Sequence, residues 1–152
     1  MDFSSKSIGI ALSGGGSKGI AQAGALKFLE EQNIKPSHIA GTSAGAIIAA
    51  LYAYGKKPEE ILDFFKSIYF FHWRHFTFKK AGIIDSLSFK SDFERIFKDA
   101  TIGDLTIPTF ITATNLVTGK LKTFRDEAKI TDAVLASSSF PGMMSPYELN
   151  GK

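Results

Sequence analysis

The stretch Gly41-Thr42-Ser43-Ala44-Gly45 constrains this chain more than any other. The apolar approach His38-Ile39-Ala40 leads into it, and the apolar, helix-permissive run 46–54 leaves it. A strand that reaches a serine among glycines and then passes straight into a helix must turn sharply. Such a turn leaves the serine hydroxyl exposed, the layout of a nucleophile elbow. Small residues flank Ser43 because the backbone of so tight a turn has no room for side chains. The helix behind it points its N–H groups and the positive end of its dipole at any anion formed beside Ser43. On these residues alone two readings stand, a serine nucleophile and a tight glycine turn between strand and helix.

A second glycine cluster shifts that balance. Gly14-Gly15-Gly16-Ser17-Lys18-Gly19 follows the short apolar run 8–12 and precedes a stretch, 20–31, whose apolar positions Ala21, Ala25, Leu26 and Leu29 recur with helical spacing. Glycines between a strand and a helix let successive N–H groups converge on one point. That suits an anionic oxygen, on a phosphate or in an acyl-transfer intermediate. The phosphate-binding motifs fit poorly. A P-loop requires Ser or Thr after its lysine, and Lys18 is followed by Gly19. A dinucleotide fingerprint calls for an acidic residue about 20 residues on, at the end of a second strand. This chain has the serine turn there instead.

Together, residues 13–19 and 41–45 resemble the patatin-like phospholipase family. Its oxyanion block is a glycine triplet, any residue, Arg or Lys, then Gly. Two later stretches resemble it as well: Ala113-Thr114-Asn115-Leu116-Val117-Thr118-Gly119-Lys120 and Ala136-Ser137-Ser138-Ser139-Phe140-Pro141-Gly142. The blocks stand in the family's order and leave only the region 54–106 poorly matched. The resemblance implies an α/β fold of three layers, α/β/α, around a mostly parallel sheet. It also implies hydrolysis of phospholipid or lysophospholipid acyl esters by a Ser–Asp dyad. Ser43 would be the nucleophile, in an elbow completed by Gly41, Thr42, Ala44 and Gly45. The N–H groups of Gly14, Gly15 and Gly16 would form the oxyanion hole, and Lys18 stands where the family carries its basic residue. No metal or organic cofactor is implied.

One departure from the family is plain. Its aspartate lies in an Asp-Gly-Gly or Asp-Gly-Ala block just after the Ser/Pro-rich segment, and this chain contains no Asp-Gly pair. Asn150-Gly151 is a hairpin-turn signal. The expectation is therefore that residues 1–152 are the N-terminal portion of one patatin-like domain, ending before its last strands. The aspartate then lies beyond Lys152, and the chain by itself is weakly active or inactive. The interior acids Asp85, Asp92, Asp99, Asp104, Asp126 and Asp132 all read as surface, turn or helix-end charges. A competing reading is an esterase with a Ser-His-Asp triad, which needs a working histidine among His38, His72 and His75. A further one is a non-catalytic lipid binder that has kept the glycine loops.

Composition bounds the remaining possibilities. The net charge is +3 and no block of five or six like charges occurs, so nucleic acid is not indicated. There is no cysteine, which removes thiol chemistry and disulfides and fits a cytoplasmic protein. The longest apolar run, 44–54, is about half the roughly 20 residues of a membrane span. Pro58-Glu59-Glu60 opens a helix that carries Phe64 and Phe65, and 87–97 reads as another. Residues 107–113 read as a buried strand, 118–120 as a turn, and 130–138 as a helix capped by Thr131. Within 64–80, Phe64, Phe65, Tyr69, Phe70, Phe71, Trp73, Phe76 and Phe78 alternate with Lys66, Arg74, Lys79 and Lys80. Two uses fit that mixture: core packing, or a flap making transient contact with a membrane surface.

Overall fold

The computed structural model describes residues 7–76, 86–141 and 144–149, with the side chains of 68–76 and 86–88 left out of that description. In chain order the elements are β1 (Gly9–Leu12), α1 (Ile20–Glu31), β2 (His38–Thr42), α2 (Ala44–Ala53), α3 (Pro58–Phe76), α4 (Ser86–Phe97), β3 (Thr109–Thr114), β4 (Leu121–Phe124) and α5 (Ile130–Ser138). The strands lie side by side in the order β1-β2-β3-β4. β1 pairs parallel with β2 and β2 parallel with β3, whereas β4 returns antiparallel to β3. This mostly parallel sheet with flanking helices fits the three-layer α/β/α architecture expected from the sequence.

Local chemistry explains where the helices stop. Asn33 ends α1 in the left-handed region at φ 56°, and the Ile34 N–H reaches back to the Leu29 carbonyl at 2.8 Å. Gly55 does the same for α2 at φ 98°, with Lys56 N–H on the Leu51 carbonyl at 2.9 Å. Both are helix stops that satisfy orphan carbonyls. Pro58 opens α3, and a Glu60 carboxylate oxygen accepts the Lys57 N–H at 2.9 Å. The sequence expectation for α5 needs correction. Lys129 occupies the capping position, and the Thr131 hydroxyl is buried without a hydrogen-bond partner.

α2 is the centre of the molecule. Ala46, Ile48, Ala49, Ala50 and Ala53 are all fully buried, as expected of a helix that is apolar on every side. The register row Leu12, Gly41, Ile111 and Phe124 is buried too. The alternate row Thr42, Thr112 and Thr123 is half-buried or exposed. Topology accounts for the asymmetry. Strands adjacent in chain order, joined by crossovers of the usual right hand, send α1 and the α2–α4 segment to the same side. α2 also packs against α5, so these helices form one layer of the fold over the buried row.

Part of the aromatic stretch is core. Phe65 is buried, Phe64 lies 5.8 Å from Phe93 ring to ring, and Tyr54 meets Phe97 edge-on at 5.2 Å. These rings knit α3 and α4 to the end of α2, in the geometry that aromatic quadrupoles favour. Phe65 is thus a core residue, and Phe64 packs half-buried against the core. The side chains of Tyr69, Phe70, Phe71, Trp73, Arg74 and Phe76, and the whole of Phe78, Lys79 and Lys80, lie outside the described residues. Among the described residues, no helix is long and apolar enough to cross a membrane.

Candidate active site

Ser43 sits between β2 and α2 with φ 53° and ψ −121°. That region is costly for any residue with a Cβ, by about 1–3 kcal/mol, and persists only where the surroundings hold it. They do so from several sides. The Ser43 carbonyl accepts the N–H groups of Ala46 at 2.9 Å and Ile47 at 3.1 Å, starting the helix. Its N–H donates to the Ser137 hydroxyl at 2.7 Å, and that hydroxyl donates in turn to the Thr112 carbonyl at 2.7 Å. The glycines of the elbow are there for space. A Cβ on Gly41 would run into the Gly45 carbonyl, and one on Gly45 would run into the Leu12 carbonyl. Strand and helix can leave the turn in these directions only if both positions lack a side chain.

The glycine loop arrives at the same place from β1. Parallel pairing sets Leu12 beside Gly41, so the chain leaves both strands at one end of the sheet. Gly14 lies directly against the serine: a Cβ there would be 3.3 Å from the Ser43 Cβ and 4.0 Å from its hydroxyl oxygen. Gly19 packs as closely on the start of α2, where a Cβ would stand 2.7 Å from that of Ala44. The Gln22 side-chain amide donates to the Ser13 carbonyl at 2.8 Å and ties the loop to α1. Gly16 takes φ 54° and opens a 3₁₀ turn, Gly16–Gly19, within which Lys18 is exposed. Gly15 is extended, at φ 160°. A loop with one left-handed glycine therefore places it at Gly16.

Hydrogen bonding at the site is one-sided. Among the described residues, the amides of Gly14, Gly15 and Gly16 donate to no protein acceptor, nor do those of Ala44 and Gly45 at the start of α2. The Ser43 hydroxyl has no partner among them either. Free donors beside an unpaired hydroxyl suit an incoming carbonyl whose oxygen turns anionic. Beside the elbow, the Thr42 and Thr112 hydroxyls share a hydrogen bond of 2.6 Å across β2 and β3.

The interior acids are engaged elsewhere. Asp92 pairs with Arg95, and Asp126 lies beside Arg125. Asp99 meets Lys129 at 2.9 Å, and the lysine's hydrogen bond holds that carboxyl below its ordinary range. Asp104 closes a capping box with Thr101, whose N–H lowers the Asp104 pKa in the same sense. Asp132 accepts the Tyr147 hydroxyl at 2.6 Å. Asp85 lies outside the described residues, as do the side chains of His72 and His75 and the turn Asn150-Gly151. His38 begins β2 and bonds the Ser37 hydroxyl at 3.2 Å. At about 3.3 Å per strand residue it is roughly 16 Å from the elbow, at the wrong end of the strand for a base. Among the described residues no cluster of His, Cys, Asp or Glu could hold a metal ion.

Ser137 was missed as a site residue by sequence reasoning. Its block was visible as a family-like stretch, but three consecutive serines give no indication of which one reaches another element.

The comparisons with known proteins point to one family. A family model described as patatin-like phospholipase matches residues 10–152. The chain is 31% identical over 150 residues to patatin-like phospholipase domain-containing protein 7 of Rattus norvegicus, covering 91% of this chain and 11% of that one. It is 31% identical over 158 residues to lysophospholipase NTE1 of Candida glabrata, covering 98% of this chain and 9% of the other. The chain thus spans about a tenth of the length of either relative. Among solved structures, VipD of Legionella pneumophila superposes with a TM-score of 0.65 at 16% identity, covering 95% of this chain and 44% of that one. ExoU of Pseudomonas aeruginosa, in its complex with SpcU, gives 0.60 at 20% identity, over 90% of this chain and 37% of that one. Those two likenesses concern the fold alone. With the family model spanning nearly every residue and the glycine loop seated on the serine elbow, the chain belongs to the patatin-like phospholipase family.

Proposed function

We propose that this chain carries the nucleophile of a serine acyl hydrolase acting on phospholipids or lysophospholipids. Ser43 attacks the carboxylic ester carbonyl, and the tetrahedral oxyanion is received by N–H groups of Gly14, Gly15 and Gly16. The alcohol leaves, and water hydrolyses the acyl-enzyme. The base is an aspartate outside the described residues, in the same patatin-like domain. Removing that base should slow turnover by about 10²–10⁴, the usual worth of general-base help. The observation that carries the reading is the strained Ser43, its hydroxyl unpaired among the described residues and Gly14 packed against it. Lipid as the substrate class is supported by the family and by relatives named as phospholipases. Lys18 is exposed in the glycine loop, and in this reading its cation meets an anionic headgroup.

Fluorophosphonate labelling read by intact mass tests the assignment. One adduct is expected, and it should be absent in Ser43→Ala. An adduct that survives that substitution would sink the assignment of Ser43.

A further inference from the structure

We propose that Ser137 is a positioning residue: its hydroxyl sets the orientation of the Ser43 backbone and so holds the nucleophile in its strained turn. The inference rests on Ser43 being the nucleophile. Three elements meet at this oxygen. It is carried by the last turn of α5, accepts the Ser43 N–H at 2.7 Å and donates to the Thr112 carbonyl of β3 at 2.7 Å. A serine hydroxyl has one proton to give, and here it is spent on Thr112, which leaves the lone pairs facing Ser43. The direction of the bond is therefore defined.

The consequence follows from the backbone. The Ser43 N–H belongs to the peptide plane between Thr42 and Ser43, and the angle of that plane about N–Cα is the φ of Ser43, 53°. Anchoring the N–H anchors φ. Without an acceptor the plane is free to relax toward an ordinary turn and carry the hydroxyl away from Gly14. The anchor itself is rigid, because Ile130, Ala133, Val134 and Leu135 seat α5 in the core with no measurable exposure. It is also specific. The Ser139 hydroxyl bonds the Leu135 carbonyl of its own helix, and that of Ser138 is buried with no partner. The tether has a second effect. It occupies the Ser43 amide, so the oxyanion must be received by other donors, those of the glycine loop and the first turn of α2.

The test compares wild type, Ser137→Ala, Ser137→Thr and Ser138→Ala in the intact protein. Its readouts are the rate of Ser43 phosphonylation by a fluorophosphonate, kcat and KM on a short soluble ester, and hydrogen exchange of the Ser43 amide by NMR. Wild type should show a protected Ser43 amide. Ser137→Ala should lose that protection, keep a cooperative melting transition, and drop about 10–100-fold in phosphonylation rate and kcat. A misplacement near 1 Å costs on that order. KM should stay within about twofold of wild type, since the surfaces that bind the ester in its ground state are untouched. Ser137→Thr, which keeps the hydroxyl, should recover most of the loss, and Ser138→Ala should behave as wild type. Wild-type rates in Ser137→Ala, or a threonine variant no better than alanine, would overturn the proposal. So would an equal loss in Ser138→Ala, which would mark a general packing effect. A protected Ser43 amide in a wild-type protein that never labels would instead bring down the nucleophile reading, and with it any catalytic meaning of the tether. An unprotected amide in a protein that labels brings down the tether alone.

Discussion

At Ser43 the chain gives up stability for geometry. Its φ and ψ suit glycine, and a serine there stores about 1–3 kcal/mol of strain. Ser43→Gly should relieve most of this, offset by the roughly 0.5–1 kcal/mol that glycine costs in chain entropy. Ser43→Ala keeps the Cβ and the strain. The glycine variant should therefore melt higher than the alanine variant, with labelling lost in both. Equal melting temperatures would mean that the turn is relaxed in solution. The pattern expected of the proposed nucleophile is stability traded against activity. Gly14 shows the same economy from the neighbouring loop, where the absence of a side chain lets the serine stand against free amides.

Among the elements, α2 does most of the assembly, and its tyrosine reports on it. Burial, and after it the hydrogen bond of Glu30, pushes the Tyr52 hydroxyl up to about 12. An unfolded tyrosine ionises near 10. A value raised by folding means the stabilising contribution is complete below about pH 10 and is lost as the pH climbs toward 12. Tyr52→Phe should abolish that loss. Melting curves of wild type and variant should therefore differ by a constant offset up to about pH 10 and then draw in the variant's favour. A constant offset across the whole range would show that Tyr52 ionises in the folded protein as it does in a free chain. Tyr147 is shifted in the same direction by burial and by Asp132, so part of the alkaline loss should remain in the variant.

On the scale of the whole molecule, the sheet's two faces are unequal. Ile111 faces the helices with no measurable exposure, while its neighbour Phe110 lies on the other row and is half-buried. Ile111→Ala should cost about 2–5 kcal/mol, the usual range for emptying a core site. Phe110→Ala should cost less in spite of its larger side chain. Urea denaturation of the 152-residue chain measures both, and a larger loss at Phe110 would show that its face is covered in solution.

Much of this was legible in the residues themselves. Apolar periodicity and the punctuation at Pro58 marked the helices to within a few positions, because those signals act over one or two turns of chain. The two glycine blocks announced the candidate site for a related reason: Gly16, Gly19, Gly41 and Gly45 each answer a local clash or turn, and such demands leave a mark at a single position. Tertiary structure decided the rest. The side chains that fill the space around α2, the face that receives the helices and the core placement of Phe65 depend on segments distant in sequence. So does the one serine of three that reaches the elbow. A hydroxyl on the last turn of α5 meets the amide of Ser43 only after β3 has paired with β2, and no pattern near residue 137 records that meeting.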